Sequence, residues 1–135
     1  MADNLNGNVV HLAHRDVTLL AISRAPIHQI ELFKKRMGWS FKWVSSSEND
    51  FNRDYHVSFT EDEMANGKMY YNYGINQFPS EEAHGMSVFY KDGSGDLFHT
   101  YSSYARGPES LLGVYSYLDL VPKGRDEGAL PFPMA

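Results

Sequence analysis

The chain has 135 residues, 42% of them hydrophobic and 21% charged, with a formal net charge of -5. That length suits one domain, the acidic balance argues against a non-specific nucleic-acid surface, and no apolar run is long enough for a membrane span. Cys is 0, so the residues given offer no disulfide, thiolate nucleophile or Cys-ligated metal.

The opening MADNLNGNVV has neither the basic region nor the apolar core of a secretion signal, which implies a cytoplasmic location. A first helix is expected over residues 3–15, with Leu5, Val9 and Leu12 on one stripe and Gly7 weakening it. Val17, Leu19, Leu20, Ala21 and Ile22 form an apolar run of the kind a covered strand shows. A helix follows. Pro26 suits its first position, and Ile27, Ile30, Phe33 and Met37 recur at three- and four-residue steps. Lys34, Lys35 and Arg36 favour the negative end of its dipole, and Gly38 can adopt the left-handed stop.

Phe41, Trp43 and Val44 suggest a short extended piece, followed by a turn-rich stretch over residues 45–50. Phe51, Tyr55, Val57 and Phe59 suggest a loop and then an extended segment. The acidic start of EDEMANGKMYYNYG predicts a helix, kept short by Gly67 and Gly74. Residues 86–91 and 97–102 are strand-like, and residues 92–95 (DGSG) between them predict a hairpin with a bulge or longer loop. Large side chains fall on both faces of that hairpin, so packing on both sides is expected. Pro108 and Glu109 start a final helix with Leu111, Leu112, Tyr115 and Leu118 on one face, before an irregular Pro/Gly-rich tail.

The stretches HLAHRDVTLLAISRAP, KKRMGWSFKWVSS, DFNRDYHVSF, GMSVFYKDGSGDLFHTYSSYARG and YLDLVPKGRDE resemble the DUF899 family, often described as thioredoxin-like or dithiol-disulfide oxidoreductase-like. The resemblance implies an α/β fold: a thioredoxin-like sheet flanked by helices in a single domain over residues 1–135. Family members carry an upstream strand and a Cys-containing turn before the segment resembling ADNLNG, and run on beyond PMA. The expectation is therefore a domain incomplete at both ends, lacking its first central strand. Neighbouring strands lie about 4.8 Å apart, so the missing strand leaves a slot about two spacings wide. Residues 17–23 and 86–91 are then expected either to pair directly, antiparallel, or to be bridged by a second copy of the chain, making a homo-oligomer through strand completion.

Oxidoreductase ancestry without Cys implies a chain inactive in thiol-disulfide exchange, and no catalytic residue or cofactor is assigned. An alternative is a non-redox module that binds a small acidic ligand or peptide. Its candidate residues are Ser23 and Arg24, at the strand end where open α/β sheets bind ligands, with Trp43, His99, Tyr104 and Arg106. Trp39, Tyr70, Tyr71 and Tyr73 are further aromatic residues that can wall a cleft or fill a core. A second alternative is a His-dependent metal enzyme, with His11 and His14 three residues apart on the first helix.

Overall fold

A computed structural model describes residues 2–129, which fall into two compact units divided after Asp54. The first unit contains α1 (Asp3–Ala13), β1 (Leu20–Ser23), α2 (Ile27–Met37), β2 (Lys42–Ser45) and α3 (Phe51–Asp54). β1 and β2 pair in parallel, Leu20 opposite Lys42 and Ser23 opposite Ser45, with α2 as the crossover between them. α2 starts one residue later than its sequence suggests, with Pro26 as the residue before the first turn. It stops at Gly38 (φ 69°), where the Trp39 N–H bonds the Lys34 carbonyl.

Ile30 and Phe41, each 1% exposed, are the buried centre of this unit. Trp39 and Trp43 flank Phe41 at ring-centroid distances of 5.4 and 6.1 Å, and Phe33 closes the cluster. Asn6 fastens α1 to the same segment. Its Oδ1 accepts from the Ser40 N–H (2.7 Å), the Ser40 hydroxyl (3.1 Å) and the Phe41 N–H (3.2 Å), while Asp3 accepts from the Trp39 indole N–H at 2.8 Å.

The second unit contains α4 (Glu61–Asn66), β3 (Met69–Tyr71), β4 (Gly74–Asn76), β5 (Gly85–Lys91), β6 (Leu97–Tyr104) and α5 (Gly113–Leu118), with 3-10 turns over Gly107–Leu111 and Glu127–Ala129. β3 and β4 form a two-residue hairpin, and β5 and β6 a longer one. Phe59, Met69, Tyr71 and Tyr104 make its core. The final helix expected from Pro108 is broken in two, because Leu112 is extended (φ -101°, ψ 90°) between the 3-10 turn and α5. Residues 130–135 of the expected irregular tail lie outside the described residues.

Two sheet-level expectations are corrected. Direct antiparallel pairing of residues 17–23 with 86–91 does not occur, because β1 takes β2 and β5 takes β6 in separate two-stranded sheets. Nor is the β5–β6 hairpin packed on both sides. Val88, Tyr90, Phe98 and Tyr101 are 44%, 60%, 50% and 54% exposed.

Candidate functional site

An open groove of about 820 Å³ runs along β6, lined by His99 through Gly107 and by Asn72 and Tyr73. Three local features shape it. The first is a bulge in β6. Val88 faces Tyr101 and Phe89 faces His99, so Thr100 is the extra residue, and its hydroxyl bonds the Val88 carbonyl at 3.2 Å. The bulge shifts the alternation by one and puts His99 on the Ser102 side of the hairpin. His99 Nε2 there lies 2.7 Å from Ser102 Oγ, which lies 2.8 Å from Ser87 Oγ. Tyr55 and Phe89 pack against the imidazole at 5.4 Å each.

His99 Nε2 is also 3.0 Å from the Tyr101 carbonyl. A carbonyl only accepts, so the ring proton sits on Nε2 and is shared between Tyr101 and Ser102. The resulting chain donates from imidazole toward the two serines. It is not a base poised to deprotonate Ser102, and Nδ1 is the ring nitrogen left for a ligand.

The second feature is the β3–β4 turn. Asn72 and Tyr73 both have positive φ (52° and 63°), the geometry of a two-residue hairpin loop. A bulky residue there is strained. Tyr73 is held by its hydroxyl, which donates to the Ser102 carbonyl at 2.7 Å, and by its ring, 5.4 Å from Tyr104.

The third is the turn after β6. Ala105 also has positive φ (49°). The Tyr71 hydroxyl accepts from the Ala105 N–H and donates to the His84 carbonyl, both at 2.8 Å, while His84 Nε2–H donates to the Ala105 carbonyl at 2.6 Å. Burial pushes the Tyr71 phenol above its ordinary range, against the opposing pull of the Ala105 N–H.

At one end of the groove, Arg106 grips Glu127 with both terminal nitrogens (2.8 and 2.9 Å) and places Nε 2.8 Å from Glu109. Arg125 grips Asp119 through Nε (2.7 Å) and Nη2 (2.8 Å), reaches Glu109 at 2.6 Å and lies over the Tyr115 ring. Three carboxylates against two guanidiniums leave this network one net negative charge.

His99, Tyr104 and Arg106 thus line one groove. Ser23 and Trp43 belong to the first unit and bond each other, the indole N–H donating to Ser23 Oγ at 3.0 Å. Arg24 is exposed at the end of β1. Trp39 lies with Trp43 in the first unit, while Tyr70, Tyr71 and Tyr73 lie in the second. His11 is exposed on α1 and His14 caps its end. Among the described residues no three His, Asp or Glu side chains gather as a metal site. No described helix is long and apolar enough to cross a membrane. Sequence reasoning missed Asn72, Ser87 and Ser102 as members of the site. The one local signal was Asn72 between two tyrosines and Gly74, the composition of a tight hairpin turn.

These features define a small protein of mixed helices and two-stranded sheets, carrying an open polar and aromatic groove. The chain belongs to the DUF899 family, whose model, described as a bacterial protein of unknown function, matches residues 1–133. No curated protein and no solved structure matches it.

Proposed function

We propose that this chain is a thioredoxin-like member of DUF899, of oxidoreductase ancestry, that works as a non-redox binding module with the β6 groove as its ligand site. The observation that carries the reading is the strained Asn72–Tyr73 turn, fixed over β6 by the Tyr73 hydroxyl on the Ser102 carbonyl. Strain of this kind is kept where surrounding structure over-determines it, and it clusters at ligand sites. The absence of Cys removes the residues that thiol exchange needs.

The ligand is a small molecule held by hydrogen bonds and ring faces. Asn72, His99 Nδ1 and the Tyr73 and Tyr101 rings are the groups on offer. Arg106 contributes little net charge, because Glu109 and Glu127 already balance it. With its proton on Nε2, His99 offers Nδ1 as an acceptor, so the groove favours a neutral donor such as an amide N–H over a carboxylate.

The test is a thermal-shift and NMR screen with paired probes, benzoate-type aromatic acids and their neutral amides. Members that bind the native state raise its melting temperature. The expected result is a subset that shifts the His99 ring signals and loses its effect in His99→Ala and Tyr73→Ala. No probe moving those signals, or disulfide reduction above the no-protein control with a dithiol donor, overturns the proposal.

A further inference from the structure

One end of the β6 groove holds a cation whose hydrogen-bonding capacity the chain itself has taken. Among the described residues that line the groove, Arg106 is the only Lys or Arg. A guanidinium offers two edges that each match a carboxylate. Glu127 takes the first, with Oε2 on Nη1 at 2.9 Å and Oε1 on Nη2 at 2.8 Å. Glu109 takes the second, with Oε1 2.8 Å from Nε and Oε2 3.2 Å from Nη2. The two acids are not equivalent. Glu109 has a side chain only 15% exposed and also binds Arg125 at 2.6 Å, so both guanidiniums depend on it. Glu127 has a side chain 26% exposed, stands 4.0 Å from Arg125 and arrives on the 3-10 turn 21 residues further along the chain.

Charge decides which of them can leave. Three carboxylates share two guanidiniums. Without Glu127, Arg106 keeps Glu109, Arg125 keeps Glu109 and Asp119, and no charge is left unpaired. Without Glu109, both guanidiniums lose a partner. Glu127 is thus the surplus carboxylate, and a second carboxylate that takes its place restores the original balance.

We infer that Glu127 is a built-in occupant of the groove's acid position, a role that rests on the groove being the ligand site, and that its grip on Arg106 makes the groove select neutral ligands over acids. A carboxylate tethered to the same chain competes at an effective concentration on the order of 1 mM, so free acids below that level find the position filled. The groove then presents His99 Nδ1, an acceptor, which suits an amide N–H and disfavours a carboxylate. Release of Glu127 frees one edge of Arg106, whose flexible stem lets the guanidinium turn toward an acid in the groove.

The probes are benzoate and benzamide, titrated against the full chain with the His99 ring signals as readout. The quantity compared is the ratio of benzoate to benzamide affinity. Glu127→Gln is expected to raise that ratio by about ten-fold, the value of a charge-assisted pair. Glu127→Asp keeps the charge but shortens the reach by a methylene, and is expected to raise the ratio by less; being the milder change, it decides the question if the Gln variant unfolds. Glu61→Gln makes the same change in net charge at an exposed position of α4 and is expected to leave the ratio at the wild-type value. Combining Glu127→Gln with Arg106→Gln is expected to cancel the rise. A ratio unmoved in both Glu127 variants, raised equally by Glu61→Gln, or raised without Arg106 overturns the role of Glu127 and leaves the groove standing as a ligand site. Neither probe moving the His99 signals in any variant overturns both.

Discussion

Tyr71 is the residue on which the groove most depends. It is 4% exposed, and its hydroxyl serves two backbone groups, the Ala105 N–H and the His84 carbonyl. Removing that oxygen keeps the ring packing but strands both groups where water reaches them poorly. An unsatisfied buried polar group costs about 1–3 kcal/mol. Tyr71→Phe is therefore expected to destabilise by about 2 kcal/mol, read as a lower urea midpoint at unchanged slope. The left-handed Ala105 turn loses its anchor as well, so the backbone signals of residues 104–107 move. A midpoint equal to wild type would show that water or another donor already serves these groups.

The same scale shows why part of the site was not legible in the sequence. Strict alternation along β6 puts His99 and Ser102 on opposite faces. The bulge at Thr100 brings them together, and its position depends on pairing with β5, not on any residue signal in HTYSS. Tyr73 is a similar case. A two-residue turn favours Gly at its second position, and Tyr is kept there by contacts to Ser102 and Tyr104, far away in sequence. By contrast, the roles of Gly38 and of the cations before it were readable, because a helix end is satisfied by its own neighbours.

At the scale of elements, α2 and the β5–β6 hairpin follow directly from local pattern, while β3–β4 forms in the stretch after Gly67 where no strand was expected. α4 itself is held by its cap. Thr60 Oγ1 accepts from the Glu63 N–H at 3.2 Å, and the Glu63 carboxylate accepts from the Thr60 N–H at 2.7 Å. Gly67 (φ 62°) ends the helix. Six residues are too few to be stable alone, so the reciprocal cap supplies much of what keeps α4 formed. Thr60→Ala is expected to cost about 1 kcal/mol. The loss is local, and hydrogen exchange reads it best. Amides of residues 63–67 exchange faster by about five-fold while the β5–β6 amides keep their rates. Equal exchange in the two proteins would mean that packing of Met64 on the core, not the cap, holds the helix.

At the scale of the whole molecule, three carboxylates of the second unit are held below their ordinary range. Asp119 is held below the usual carboxylate range by its hydrogen bonds to Arg125, and Glu127 by those to Arg106. Asp92 is lowered by the Ser94 hydroxyl and by the N–H groups of its own loop. A carboxylate whose folded value is depressed stabilises the fold fully above its unfolded value, and the contribution disappears as pH falls through the folded value. Stability is therefore expected to hold from pH 7 to about 5 and to decline as pH drops below about 4. All three groups are exposed enough for solvent and salt to weaken their partners' hold, so the decline is shallow and shallower still in 0.5 M salt. Urea midpoints at pH 7, 5, 4 and 3 measure it. Arg125→Gln separates the network from the rest of the chain: Asp119 returns toward its ordinary value, and the drop between pH 5 and 3 becomes smaller than in wild type. An identical acid slope in that variant would assign the loss to groups other than the Arg125 pairs, such as Glu127 on Arg106.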